Sequence, residues 1–248
     1  MKKENIKFHF CGMSDKGLLR GNNEDLFEIK EDLNACIVVD GMGGEAAGEI
    51  ASRTFIESST KVLSKRLQPF SERALIKSLK QSFMLSNVNI LKQVQECPSY
   101  KGMGCTADIL FFYKKNYYIA HIGDSRVYRY RKGTLKQLTH DHSIVQDKID
   151  KGLISSKEAR NHPERNLINK AVGVKKEIEP DIINGFFLQN DLFLICTDGL
   201  TDMVDDDQIQ NILSTGDFHI ETKVKKLINA ANKAGGEDNI TVVLALSK

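Results

Sequence analysis

Four aspartates sit where an apolar run meets glycine or another small residue. Ala35-Cys36-Ile37-Val38-Val39 runs into Asp40-Gly41, and Leu192-Phe193-Leu194-Ile195-Cys196-Thr197 runs into Asp198-Gly199. Gly123-Asp124-Ser125 closes the apolar run 117–122, and Gly235-Gly236-Glu237-Asp238-Asn239 opens the last one, 240–246. A buried strand that stops at a carboxylate delivers it to a fixed point at the edge of a core, and glycine lets backbone and ion approach closely. Carboxylates gathered at one point repel unless a cation lies between them, and oxygen ligands suit magnesium, manganese or calcium. One Asp-Gly pair alone is more often a turn. Four such aspartates beside apolar runs, together with Glu24-Asp25, make a shared hard-metal site the better reading.

The elements that must carry these residues follow from periodicity. Residues 6–11 and 26–39 read as short strands. Residues 45–66 read as a helix, with Ala46, Ile50, Ala51, Phe55, Val62 and Leu63 near helical spacing. Pro69 breaks it, Ser71 is an N-cap, and a second helix runs to about residue 95. Residues 105–138 read as a β-meander with strands at 107–113, 117–122, 126–130 and 135–138. The stretch 139–180 is polar and irregular, with amphipathic pieces at 144–153 and 156–161. Strands return at 185–197, helices are expected at 206–213 and 222–233, and 240–246 is the final strand. Two consecutive helices followed by a run of strands is a layered antiparallel pattern, not alternating βαβ, and the whole chain reads as one domain.

The bulk composition excludes several classes. Lysine plus arginine total 35 and aspartate plus glutamate 33 in 248 residues, a net charge of +2 that gives no footprint for nucleic acid or a membrane surface. Aromatics are 7% with no Trp, which argues against a single-strand stacking platform. The five cysteines, Cys11, Cys36, Cys97, Cys105 and Cys196, are odd in number and lack Cys-x-x-Cys spacing, a reduced intracellular pattern. The N-terminus lacks the apolar stretch of a signal peptide, and no run reaches the ~20 apolar residues of a membrane span. The expectation is a soluble, cytoplasmic protein.

Competing motifs fail on chemistry. Gly41-x-Gly43-x-x-Ala46 follows a strand, but a dinucleotide fold needs a parallel strand next and a helix follows instead. Gly12-x-x-x-x-Gly17 is followed by Leu18 rather than Lys, so it is no phosphate-binding P-loop. A cysteine phosphatase needs Cys-x5-Arg, and Gly17, Met42, Met103, Phe111 and Asp202 stand at those positions. Asp205-Asp206-Asp207 precedes a helix and reads as its cap. His140-x-His142 lacks ligand partners and reads as surface, His121 as packed, and His162-Pro163 as either a substrate contact or a turn.

The segments taken in order resemble the metal-dependent protein phosphatases of the PPM (type 2C) family, particularly its compact bacterial branch. They are Ser14–Gly17 with Arg20 and Asn23-Glu24-Asp25; Val39-Asp40-Gly41-Met42-Gly43-Gly44 through Ser52; Gly102-Met103-Gly104 with Thr106; His121–Arg126; Leu138-Thr139 with Asp141-His142-Ser143; His162-Pro163 with Arg165-Asn166; Thr197–Leu200 with Asp202; and Gly235-Gly236 with Asp238–Val243. The resemblance covers nearly the whole chain. It implies an α+β fold, a four-layer αββα sandwich of two antiparallel sheets flanked by helix pairs, with a flap at about 139–174. It implies hydrolysis of phosphoserine and phosphothreonine in proteins by a metal-bridging water or hydroxide.

The roles carried over are specific. Asp40 would bridge two Mn2+ or Mg2+ ions, Asp198 and Asp238 would complete one site, and Glu24 with the carbonyl of Gly41 would serve the other. Arg20 would clamp the phosphate, and Asp25 would orient a metal-bound water. A third ion would involve Asp124, with Asp198 or Asp202 nearby. Animal members carry a histidine two residues after the bridging aspartate; Met42 stands here, as in bacterial members, so the leaving-group proton must come from a metal-bound water or another residue. Asn169-Lys170 stands where many relatives have Thr-Arg, near the flap. The implied partners are phosphorylated proteins, among them a Ser/Thr kinase and its targets, with no nucleic acid and no membrane. The alternative is a non-catalytic phosphoprotein-binding regulator on the same fold; such members usually lose metal carboxylates, and Glu24, Asp40, Asp198 and Asp238 are all present. A phosphodiesterase of nucleotides or lipids ranks lower, since no base-stacking or basic groove is visible.

Overall fold

Two five-stranded antiparallel sheets lie face to face in the computed structural model, which describes residues 7–43, 47–64, 71–216 and 219–248. In chain order the elements are β1 (Phe8–Asp15), β2 (Leu26–Lys30), β3 (Ala35–Met42), α1 (Ala47–Ser64), α2 (Glu72–Glu96), β4 (Gly104–Tyr113), β5 (Asn116–Ile122), β6 (Arg126–Arg131) and β7 (Thr134–Gln137). There follow α3 (Ile144–Asp150), α4 (Ser156–Arg160), β8 (Asp181–Phe186), β9 (Leu192–Cys196), α5 (Asp198–Thr201), α6 (Asp206–Ser214), α7 (Ile220–Ala234) and β10 (Ile240–Ser247). The first sheet has the order β1-β10-β9-β6-β7 and the second β2-β3-β4-β5-β8.

Strand alternation sorts the apolar residues into three cores. On β3, Ala35, Ile37 and Val39 pack against α1 and α2, while Cys36 and Val38 face the other sheet. On β10, Val242 and Leu244 meet α6 and α7, while Val243 and Ala245 turn inward. Strands buried on both faces explain why these runs are apolar throughout rather than alternating. The layer between the sheets is aromatic: Phe112 stands edge-on to Phe187 and Phe193, with ring centroids 5.5 and 5.1 Å apart. Fully burying each such side chain contributes about 1.5–3 kcal/mol. The four-layer αββα reading and its flanking helix pairs are therefore present, and Ser71 caps α2 as expected, accepting from the Ala74 N–H at 3.2 Å.

Several expectations need correction. The run 26–39 is a hairpin: a 3-10 turn at Glu31–Leu33 and Asn34 at φ 50° reverse the chain between β2 and β3. The 105–138 run is not one meander, because β4 and β5 pair in the second sheet while β6 and β7 pair in the first. The crossing occurs at Gly123–Ser125, where Gly123 has φ 117°. β1 extends past 11 to Asp15, since it pairs with all of β10 and Phe27 covers Gly12. β8 begins at Asp181, four residues before the expected start of the strands at 185, because its register against β5 orders it. The expected helix 45–66 is seen as Ala47–Ser64, its outer residues lying outside the described set. Among the described residues, no helix is long and apolar enough to cross a membrane.

Candidate metal centre

The rows of residues facing between the sheets turn polar at one end of the sandwich. β1, β3, β5 and β9 finish there, and β2, β4, β6 and β10 start there. On β3 the row Cys36, Val38 reaches Asp40; on β9 Phe193, Ile195 reaches Thr197; on β10 Ala245, Val243 reaches Thr241. Asp40 is thus inside β3, opposite Thr106, rather than past its end. Asp25 directly precedes β2, Asp124 lies in the β5–β6 turn, Asp198 opens α5 after β9, and Asp238 precedes β10. Short turns between long antiparallel strands bring sequence-distant acids to one place.

These acids feel one another. Burial pushes the Asp40 carboxyl well above the usual carboxylate range, with Asp25, Asp198, Asp124 and Asp238 adding repulsion. Burial likewise raises Asp198 to about 7, with Asp202 and Asp238 contributing, against a hydrogen bond with Asp40. Asp25 is buried and raised to about 7 by desolvation first, although the Thr197 hydroxyl donates to its Oδ2 at 2.8 Å. Burial also raises Asp124, then repulsion from Asp198 and Asp141, and burial raises Asp202 despite Arg165 at 3.8 Å. The last two line a cavity of about 650 Å³ together with Asp198.

Glu24 and the Gly41 carbonyl meet at the start of α1, against Gly48. The Glu24 carboxylate accepts from the Gly48 backbone N–H and from Asn22 Nδ2, and burial raises its pKa. A Cβ on Gly48 would collide with that carboxylate and with the Gly41 carbonyl oxygen. Glycine is required here by space, not by backbone angle. Arg20, half-exposed at the mouth, donates to Asp238 Oδ2 at 2.6 Å, and Asp238 Oδ1 accepts from the Asn239 N–H.

The residues fit hard cations. Oδ1 of Asp198 is buried without a hydrogen-bond partner, and the oxygen-only donor set repels itself into taking up protons. A divalent ion removes both penalties at once. Among the described residues no three His, Cys, Asp or Glu side chains are disposed to hold an ion unaided. The arrangement accounts for this: Asp238 is turned to Arg20, Asp40 is turned to Asp198, and the Glu24 side lies beside a backbone carbonyl. Magnesium and manganese retain several waters, so a partial protein shell suffices.

Sequence reasoning missed the residues that hold the ligands in place. Asn239 is a staple: its Oδ1 accepts from the Glu24 N–H at 2.8 Å, and its Nδ2 donates to the Lys16 and Asn22 carbonyls, each at 2.9 Å. Thr197 donates to Asp25 while accepting from the Thr241 N–H at 2.9 Å. Both lie beside predicted ligands, but their partners are too far along the chain to be foreseen. His121 is fully buried, as expected, and His140 pairs with Asp150 at the surface. His142, read as surface, is instead mostly buried and accepts from the Gly123 N–H. His162 closes a turn, its Nδ1 accepting from the Glu164 N–H at 3.1 Å.

An αββα sandwich with a self-repelling carboxylate cluster at one end, and Arg20 and Arg165 beside it, suits a metal-dependent hydrolase. The sequence profile of protein phosphatase 2C matches residues 21–245. The serine/threonine phosphatase stp of Listeria welshimeri is 35% identical over 234 residues, 93% of this chain and 92% of that protein. The crystal structure of the Mycobacterium tuberculosis serine/threonine phosphatase PstP/Ppp superposes with a TM-score of 0.90 at 35% identity, covering 98% of this chain and all of that one. The PstP catalytic domain in complex with two manganese ions gives a TM-score of 0.88 at 33% identity, covering 98% and 99%. This chain belongs to the protein phosphatase 2C family, and it is an enzyme of that family.

Proposed function

We propose that this chain is a protein-serine/threonine phosphatase that uses two manganese or magnesium ions to hydrolyse phosphoserine and phosphothreonine in other proteins. The observation that carries the reading is the self-repelling cluster of Asp40, Asp198 and Asp238 with the orphaned Oδ1 of Asp198, beside Arg20. Asp40 would serve both ions, Asp198 and Asp238 one, and Glu24 with the Gly41 carbonyl the other; Asp124 and Asp202 offer a third position. Ions held there would supply Lewis acidity and an activated water for attack on phosphorus. Arg20 binds and orients the phosphate, exchanging its contact with Asp238 for two oxygens of the ester in the planar fork geometry. Asp25, held by the Thr197 hydroxyl, is placed to accept a hydrogen bond from water at the cluster. Asn239 and Gly48 keep Glu24 in register with Asp40.

The chain acts as one catalytic domain over 1–248, with 139–174 as a flap beside the site. Its substrates are phosphoproteins made by a Ser/Thr kinase, which it opposes. Five free cysteines, three of them buried, support work in the reducing cytoplasm. The purified chain should hydrolyse a phosphothreonine peptide with manganese and lose that activity on chelation. Asp40→Asn and Asp198→Asn should each reduce kcat roughly a thousandfold or more while the far-UV circular dichroism stays unchanged. Phosphopeptide binding by the wild type with no metal-dependent turnover would establish the regulator instead.

A further inference from the structure

A row of polar side chains crosses the second sheet beside the site. Asp108, His121 and Asp181 are cross-strand neighbours on β4, β5 and β8. Asp108 and His121 are fully buried. His121 Nδ1 lies 2.9 Å from Asp108 Oδ1, and its Nε2 lies 3.0 Å from the His140 carbonyl oxygen. With an acceptor at each ring nitrogen, the imidazole and carboxyl together hold two protons. Oδ2 of Asp108 is buried with no partner. A buried charged pair with an orphaned oxygen is a poor device for stability alone, so its position asks for another role.

His142 supplies that role. Its ring lies on the His121 ring, with centroids 4.8 Å apart and planes 22° from parallel. Nδ1 accepts from the Gly123 N–H at 3.0 Å, so the proton sits on Nε2 and is donated to Asp181 Oδ2 at 3.3 Å. The backbone N–H of His142 donates to the Gly123 carbonyl at 2.7 Å, and its carbonyl accepts from the Asn169 N–H at 2.9 Å. Ser143 and Ile168 form a β-bridge beside it. Lys170, next to Asn169, reaches the same Asp181 at 3.0 Å. One residue therefore joins the entry leg of the flap, its exit leg and the turn that carries Asp124. Between these lies the 650 Å³ cavity, lined by Val145, Ile149 and Ala159 of the flap and by Asp124, Asp198 and Asp202 of the site.

We infer that His142, stacked on the buried His121–Asp108 pair, is a positioning residue that fastens both legs of the flap at a set height above the carboxylate cluster. The space left there admits a polypeptide segment around the phosphorylated residue, so loosening the anchor weakens recognition of phosphoproteins more than chemistry on a small ester. For its catalytic arm this inference rests on the phosphatase reading.

Hydrogen–deuterium exchange of the full chain tests it directly. His142→Ala should speed amide exchange across 144–167 about tenfold and leave α2 unchanged. In the same variant, KM for a phosphothreonine peptide should rise about tenfold, with kcat/KM for para-nitrophenyl phosphate within about twofold of wild type. His142→Asn, which retains an acceptor but not the stacked ring, should fall between. Unchanged exchange in 144–167 would overturn the inference. So would a rise shared equally by α2, or an equal loss on both substrates, since each marks a general loss of stability. Should His142→Ala not fold, Asp108→Asn removes the charge that orients His121 and is read by the same measurement, with the same two outcomes. A wild type inactive on both substrates sinks the phosphatase reading and leaves the exchange result to judge the anchor.

Discussion

Asp198 concentrates the charge problem of this protein in one side chain. It is half-buried among Asp40, Asp202 and Asp238, its buried Oδ1 has no partner, and its pKa is raised to about 7. Asp25, beside it, is raised to about 7 as well, by burial first. Metal binding requires the ionised carboxylates, so protons and cations compete. As pH rises through about 7, Asp198 and Asp25 release their protons and affinity rises; as pH falls through it they take protons up and affinity drops. Manganese should therefore bind about tenfold more weakly at pH 6 than at pH 8 for each carboxyl that must release a proton. Titration calorimetry in buffers of different ionisation enthalpy measures both the affinity and the protons released. Asp40, Asp124, Asp198 and Asp238 were legible because each lies at the end of an apolar run beside glycine or another small residue. The hydrogen-bond partners of the site's acids were not, since Asn239 and Thr197 reach across the fold to Glu24 and Asp25.

The junction of β3 with α1 is where one element constrains another most tightly. Gly48, in the first turn of α1, leaves room for the Glu24 carboxylate and the Gly41 carbonyl. Gly48→Ala should favour the helix by roughly 1 kcal/mol by propensity, yet displace Glu24. Because the added Cβ also meets the Gly41 carbonyl oxygen, 2.7 Å away, the expected outcome is a Tm lowered even with chelator present, and manganese affinity lowered about 10–100-fold. Scanning calorimetry and metal titration of the same sample separate the two effects. Elements with strong local signals were read well: Ser71 caps α2, and Asp205 caps α6, accepting from the Gln208 N–H at 2.7 Å. The hairpin inside 26–39 was missed because its reversal rests on a left-handed asparagine rather than on glycine or proline. The division of 105–138 between two sheets was missed for a different reason. Local hydrogen-bonding pattern cannot tell whether a second hairpin continues one sheet or crosses to another.

At the scale of the whole molecule, the layer between the sheets holds both halves of the site together. Phe193 is fully buried there against Phe112 and Tyr117, with centroids 5.1 and 5.2 Å away. Phe193→Ala should cost about 3–5 kcal/mol and lower Tm by roughly 10 °C. Because Asp198 follows β9 and Asp40 lies in β3 of the opposite sheet, the same variant should weaken manganese binding measurably at 25 °C. A Tm within about 2 °C of wild type would show that the inter-sheet layer is not what holds them in register.

The sequence by itself determined the layered class, the helix pairs and the acidic residues, because periodicity, caps and Asp-Gly junctions are local properties of the chain. The tertiary structure alone decided which acids share an environment, that β5 and β6 part into different sheets at Gly123, and that His142 bonds both to that turn and to Asn169. Those outcomes depend on contacts between residues far apart in the chain. They are chosen by burial of both faces of two sheets at once, which no local pattern encodes.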